Sequence, residues 1–339
     1  MWKVRIAVDV MGGDHAPEQI LAGALEAAPE SDGEILLVGC PDAIRRTSRD
    51  PFPKNVRVVE ATQVIQMCDP PVEALRRKKD SSLVVAANLV RNGEADAMIS
   101  AGNTGAVAAA AHILWKCLPP ISRPGIATVM PALNGRFVLI DSGATPDCTP
   151  KHLVEFAVMG SVYAQTVLGV KEPRLGLLNI GTEEAKGNAL TKQTYKLLKA
   201  SLPNFAGNVE GKNIFDGEFD VVVCDGFAGN VVLKTSQGMA ELMKTMMSGI
   251  LPKNRVLRAL IGPVLRRGWN EFKKRTDYAE YGGAPLLGVN GLCFICHGHS
   301  NAKAIRNAIR MARRGHEARL NDRISKWAAE VHGEPVSAS

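Results

Sequence analysis

Hydrophobic residues along this chain gather into short continuous runs, each closed by small polar residues and followed by a stretch with helical spacing. Residues 3–10, EILLVG (34–39), NVRVVEA (55–61), ADAMIS (95–100), LGLLNI (175–180) and DVVVCD (220–225) have strand length and are rich in Val, Ile and Leu. Such runs suit strands buried on both faces. Two more fall near 126–130 and 136–141. Between them, the spacing predicts helices from about Pro17, over 81–93, from the turn at Gly102 to about Trp115, over 150–168, from about 188 and from near Gly229. Pro17 suits an early helical position. The alternation predicts an α/β fold, a mostly parallel sheet covered on both faces. Ligands of such sheets bind beyond the carboxyl ends of the strands. No repeat, low-complexity tract or linker interrupts the pattern, so residues 1–331 read as a single α/β domain and 332–339 as a flexible tail.

Composition narrows the class. With 46% hydrophobic residues in 339, the core needs no covalent staples. Seven scattered cysteines form no disulfide framework and fit a reducing cytosol. The N-terminus runs straight into a strand without a signal-peptide pattern, and no run reaches 18 apolar residues, so no transmembrane helix is predicted. The net charge of +7 favours an anionic partner without choosing among nucleic acid, anionic lipid, an acidic protein and phosphate.

The chemistry sits in the loops that close the strands. AVDVMGGD contains Asp9, Gly12, Gly13 and Asp14, with His15 next; SAGNTGA (100–106) places Asn103 and Thr104 at a helix start. DSGAT (141–145), NIGTEEAKGN (179–188) and DGFAGN (225–230) follow further strands. Glycines admit close backbone approach, and helix starts offer unpaired N–H groups to anions. One such loop is an ordinary turn or N-cap; five after successive strands point to an anion site. There is no GxxxxGK[ST] phosphate loop and no GxGxxG, which argues against nucleotide triphosphate hydrolysis and against a dinucleotide site. The run Cys293-Phe294-Ile295-Cys296-His297 matches a haem-attachment pattern, yet without an export context or a second metal-type pair it reads as buried strand cysteines. No metal and no cofactor are expected.

These motifs, with GGAPLLGVNG (282–291) and HGHS (297–300), occur in one order from about residue 5 to 310 and together resemble the bacterial phosphate acyltransferase family. The resemblance implies a three-layer α/β/α fold related to phosphotransacetylases and isocitrate dehydrogenases, assembled as a homodimer. It implies transfer of a fatty acyl group from acyl carrier protein to inorganic phosphate, giving acyl-phosphate for phospholipid synthesis, in a cytoplasmic protein held peripherally at the inner face of the cell membrane. One departure is Thr145, followed by Pro146, where the family pattern has Asn after DSGA. A hydroxyl replaces one amide hydrogen bond, not two.

On this reading Lys186 neutralises phosphate or the developing oxyanion, and the Asn230 amide donates to that oxyanion. Asn103 and Thr104 hold phosphate through a helix start, with Gly12 and Gly13 allowing close approach. Asp9, Asp14 and Asp225 orient the donors, and His15 and His297 are candidate proton carriers. Spacing alone leaves Lys186 open between this role and a solvated helix-start lysine, and Asn230 between it and a plain N-cap.

Residues 250–275 carry eight Lys or Arg and one acid, Glu271. Val256, Leu257, Leu260, Ile261, Val264, Leu265, Trp269 and Phe272 recur at three- and four-residue spacing, and Gly262-Pro263 breaks the helix midway. Three roles stay open: core or dimer interface, contact with anionic lipid with Trp269 at the interface, and docking of the acidic carrier protein against Arg255 and Arg258. Met239, Met243, Met246 and Met247 read either as lining for an acyl chain or as core. Two other functions compete: a phosphotransacetylase-like enzyme using acyl-coenzyme A, and a nucleic-acid or membrane scaffold. No nucleic-acid module supports the latter.

Overall fold

The computed structural model describes residues 4–30, 32–48, 50–248 and 278–333. The strand-like runs become two sheets instead of one. The first, of seven strands, comprises β1 (Arg5–Asp9), β2 (Glu34–Gly39), β3 (Val56–Glu60), β4 (Ala97–Ser100), β5 (Gly125–Ile126), β11 (Ala284–Leu287) and β12 (Leu292–Ile295), in the order β3-β2-β1-β4-β12-β11-β5. The second, of five, comprises β6 (Thr128–Ala132), β7 (Gly135–Ile140), β8 (Leu175–Asn179), β9 (Phe205–Glu210) and β10 (Val221–Val223), in the order β6-β7-β10-β8-β9.

The split occurs at one residue. β5 ends at Ile126 and β6 begins at Thr128; Ala127 between them is fully buried and its N–H donates to the Pro285 carbonyl at 3.0 Å. Antiparallel pairing at β11–β12 and β11–β5 makes β5 run with β1, β4 and β12. β6 is antiparallel to β7, which is parallel to β10, and β10 in turn to β8. The parallel strands of the two sheets therefore run toward each other, and their carboxyl ends meet on either side of Ala127.

Helices flank both sheets: α1 (Glu18–Ala27), α2 (Pro41–Thr47), α3 (Pro71–Arg77), α4 (Ser82–Arg91), α5 (Thr104–Trp115), α6 (Pro150–Thr166), α7 (Ala189–Ser201), α8 (Gly226–Ser248), α9 (Ala302–Glu317) and α10 (Leu320–His332). The start expected near Gly229 lies at Gly226, because Asp225 Oδ1 accepts the Ala228 N–H at 2.8 Å and caps the helix. The tail expected from 332 is helical at His332, where α10 ends on left-handed Gly333; residues 334–339 lie outside the described residues, as does 250–275.

Alternation along the strands sorts the core into layers. Ile6 and Val8 of β1 face one cluster while Ala7 faces another; Val138 and Ile140 of β7 join the first cluster, and Phe137 and Leu139 face a third beneath α8. The first cluster runs through both sheets and wraps α6, whose residues from Leu153 to Ala164 are all buried. A helix buried all round belongs to the core. Its buried charge, Glu155, accepts the Ser122 N–H and hydroxyl at 2.8 Å each and faces His332 Nε2 at 3.4 Å, which ties α10 to α6. On the outer face α1 packs closely on α9: a Cβ at Gly23 would collide with the Ala302 carbonyl and lie 2.7 Å from Ile305 Cβ.

Overpacking such a contact costs about 1–3 kcal/mol. Gly23→Val is expected to lower stability by that amount, seen as a lower urea midpoint with an unchanged slope.

Candidate active site

On the first sheet, neighbouring strands β1, β4 and β12 deliver three loops to one place. Asp9, the last residue of β1, is buried and accepts the Ser100 hydroxyl at 2.7 Å. Burial pushes its carboxyl upward, against hydrogen bonds from Ser82, Ser100, Met11 and Gly12. Asp9 thus acts as a buried brace that draws the glycine loops together. A Cβ at Gly12 would lie 2.6 Å from Asp9 Oδ2 and 2.8 Å from Gly102 N. Gly13 adopts a positive φ of 106° while packed against the carbonyls of Ala101 and Gly298.

The loop after β1 then docks on the loop after β12 twice. The Asp14 N–H donates to the Gly298 carbonyl at 2.8 Å, and Asp14 Oδ2 meets His299 Nδ1 at 2.9 Å. His15 and His297 lie beside His299, with ring centroids 6.0 and 5.5 Å away. Thr104 is exposed as the first residue of α5, which Asn103 caps by accepting the Ala106 N–H at 3.0 Å. The Asn103 amide is already committed to the carbonyls of Met67 and Asp69, at 3.0 Å each. The start of α5, and not the Asn103 side chain, is what an anion can meet.

On the second sheet, β7, β10 and β8 are neighbours and carry the other cluster. The carboxylate of Asp141 is fully buried at the end of β7. Its Oδ1 accepts the N–H groups of Ile126, Gly143 and Ala144 at 2.9 Å each, and its Oδ2 that of Thr145 at 2.6 Å. Burial pushes this carboxyl upward and the four amides pull against it. The loop so formed is also tied to the β5–β6 crossing: Ser142 N–H donates to the Ile126 carbonyl at 2.9 Å, and the hydroxyls of Thr128 and Ser142 lie 2.7 Å apart. Thr145 turns its hydroxyl inward to the Pro124 carbonyl at 3.0 Å, so here it fastens the loop from inside.

Asn230 lies against this loop; a Cβ at Gly143 would be 3.7 Å from Asn230 Oδ1. It stands in the second turn of α8, since Asp225 and not Asn230 is the cap. Its side chain is exposed, and among the described residues no hydrogen bond occupies its amide. Lys186 emerges from the neighbouring strand β8, exposed, with its stem laid across Gly181: a Cβ there would be 2.8 Å from Lys186 Cγ. Asn179 holds this loop by donating to the Lys186 carbonyl at 3.2 Å, and Glu184 is taken by Lys199 at 3.1 Å. Among the described residues no carboxylate pairs with Lys186. Two cationic or amide donors thus stand unclaimed at the end of adjacent strands.

The opposed carboxyl edges bring the two clusters face to face. Lys234, one turn beyond Asn230 on α8, bears electrostatically on His297 of the first sheet. His297 is held below its ordinary value, first by partial desolvation of the ring, then by the charges of Lys234 and His299. Sequence reasoning did not single out Lys234 or His299. The i,i+4 spacing of Asn230 and Lys234 on one helix was a usable signal for the first, and the repeated histidine of HGHS for the second. Among the described residues no group of three or more His, Cys, Asp or Glu is placed to hold a metal ion. Cys293 lies on β12 and Cys296 just beyond it; both are buried, and burial pushes the Cys296 thiol up to about 12. The docking residues Arg255, Leu257, Arg258, Leu260, Ile261, Val264 and Trp269 lie outside the described residues.

The chain matches the family described as fatty acid synthesis protein over residues 4–323. It is 51% identical to the phosphate acyltransferase of Desulfitobacterium hafniense over 325 residues, covering 95% of this chain and 97% of that protein. The phosphate acyltransferase of Heliobacterium modesticaldum is 51% identical over 317 residues, 92% of this chain and 94% of its own length. Among solved structures, the phosphotransacetylase of Streptococcus pyogenes superposes with a TM-score of 0.62 at 18% identity, covering 92% of this chain and 94% of that one. The EutD phosphotransacetylase of Staphylococcus aureus does so with 0.60 at 16% identity, covering 92% and 94%. At these identities the likeness speaks for the fold alone.

Asp141→Asn would set an NH₂ group against the Thr145 N–H, or else lose the acceptor shared by three amides. A buried donor left unsatisfied costs about 1–3 kcal/mol. The variant is expected to unfold at lower urea by that amount.

Proposed function

The chain belongs to the phosphate acyltransferase family, and from that premise we propose that it moves a fatty acyl group from the thioester of acyl carrier protein onto inorganic phosphate. The observation that carries this reading is the pair of uncommitted donors, Lys186 and Asn230, at adjacent strand ends of the second sheet, opposite the glycine loops and helix start of the first.

Phosphate is nucleophilic at neutral pH, so the protein has no need of a serine-type nucleophile. Its tasks are to seat phosphate in line with the thioester carbonyl and to stabilise the tetrahedral oxyanion. Gly12, Gly13 and the Thr104 turn of α5 offer backbone approach for phosphate. The Asn230 amide, braced by the loop that Asp141 organises, donates to the oxyanion, and Lys186 offsets the charge that builds there. Asp9 and Asp225 act at one remove, the first by holding the glycine loops and the second by fixing the start of α8.

The residues after α8 supply a second part of the proposal. Met239, Leu242, Met243 and Met246 are exposed on α8 with 54, 51, 44 and 65% of their surface open, which sets them outside the core. The basic segment 250–275 follows directly. We propose that this region carries homodimer contact, docking of the acidic carrier protein and reversible attachment to anionic membrane. Each Lys or Arg near such a surface contributes about 1 kcal/mol. Among the described residues no helix is long and apolar enough to cross a membrane.

Loss of one oxyanion donor costs about 2.7–4 kcal/mol of barrier, roughly 10²–10³ in kcat. Lys186→Ala and Asn230→Ala are each expected to fold normally and lose that much phosphate-dependent thiol release from acyl carrier protein, with acyl-phosphate identified by mass in the wild type. Near-normal turnover in both would remove the assignment. Leu260→Glu is expected to abolish sedimentation with anionic vesicles while leaving activity on a soluble donor intact.

A further inference from the structure

Acyl transfer leaves one task without an owner among the donors above: the departing sulfur needs a proton. A thiol of ordinary pKa near 8.5 leaves as a thiolate at neutral pH. A thiolate released beside an acyl-phosphate is the nucleophile of the reverse reaction. Resting on the acyl-transfer reading, we propose that His299, held by Asp14, is the acid that protonates this sulfur.

The geometry is built for a carboxylate–imidazole pair. Asp14 reaches the loop after β12 by two separate bonds, its N–H to the Gly298 carbonyl and its Oδ2 to His299 Nδ1. Gly298 makes room for that approach, because a Cβ there would lie 2.8 Å from Asp14 Oδ2 and 3.1 Å from Met67 Cε. With Nδ1 engaged by the carboxylate, Nε2 is the nitrogen that exchanges a proton, and Asp14 fixes the orientation of the ring, the division of labour seen wherever a carboxylate orients a catalytic histidine. Two other imidazoles, those of His15 and His297, stand nearby. His297 is held below its ordinary value by desolvation and then by the charges of Lys234 and His299. Among the described residues, the charged and titratable groups near His299 include Asp14, His15, His297 and, through His297, Lys234. The His299 side chain is 67% exposed, so it can be reprotonated from water between turnovers.

The step balances without a co-reactant. A phosphate oxygen bonds to the carbonyl carbon, and the tetrahedral adduct collapses as its oxyanion re-forms the double bond. The C–S bond breaks with its electron pair on sulfur, which takes the proton from His299 Nε2. The proton that phosphate sheds to water as the acyl-phosphate forms balances the one that imidazole regains. In this scheme His299 is a catalytic residue and Asp14 a positioning residue.

A leaving-group comparison tests the assignment. Wild type, His299→Gln and Asp14→Asn are assayed for phosphate-dependent acyl-phosphate formation with two donors: acyl carrier protein thioester, and the same acyl group on a nitro-substituted thiophenol, whose thiolate needs no proton. General acids contribute about 10²–10⁴-fold, so His299→Gln is expected to lose that much on the carrier donor and less than roughly tenfold on the aryl donor. Asp14→Asn is expected to show the same selective loss, smaller in size. Equal losses on both donors would make the pair structural, and no loss on the carrier donor would make it idle; either result overturns the proposal. Absence of acyl-phosphate from the wild type with both donors would instead overturn the acyl-transfer reading on which it rests.

Discussion

Four backbone N–H groups converge on the buried carboxylate of Asp141, and the arrangement of the site depends on that convergence. Removing a carboxylate from water costs several kcal/mol, and hydrogen bonds to a charged group contribute about 1.5–3 kcal/mol each. A single amide would do little against the burial; four offset part of it, and burial still holds the carboxyl above its ordinary value. The donors come from both sides of the crossing between the sheets: Ile126 from β5, and Gly143, Ala144 and Thr145 from the loop after β7. The same group therefore fixes where one sheet hands the chain to the other and where the surface against Asn230 lies.

The two clusters divide the chemistry. The second sheet presents donors that no other side chain claims, suited to charge that develops on a carbonyl oxygen. The first sheet presents backbone at close quarters and a set of histidines joined to Asp14. Glu155 does comparable work away from the site, taking the Ser122 hydroxyl and N–H and the His332 ring so that the last helix closes on α6. At Asp141 and at Glu155 a buried acid organises backbone or imidazole instead of meeting solvent.

Much of this was legible in the residues. β2 and β8 read directly from EILLVG and LGLLNI, because strands buried on both faces leave an unbroken apolar run. The site loops read from their glycines, since close backbone approach excludes side chains. What did not read was non-local. β5 is two residues long and exists because Leu286 and Leu287 pair with it, some 160 positions away in sequence, and the second sheet follows from that pairing. The helix start at Asn103 and Thr104 read from the sequence, but the claim of the 66–69 loop on the Asn103 amide did not, because that loop has no pattern of its own. That Asp225 and not Asn230 caps α8 did not read either, because only the first helical turn decides which residue caps it.

Opposed strand ends have one further consequence. Six helices of ten residues or more, α1, α5, α6, α7, α8 and α9, are the next such helices in the chain after β1, β4, β7, β8, β10 and β12. Each aligned stack of peptides places roughly half a unit of positive charge at its amino terminus. Such poles follow strands of both sheets, and the attraction they exert belongs to the main chain, which no side-chain substitution removes. An anion is drawn in by the architecture and sorted by the residues.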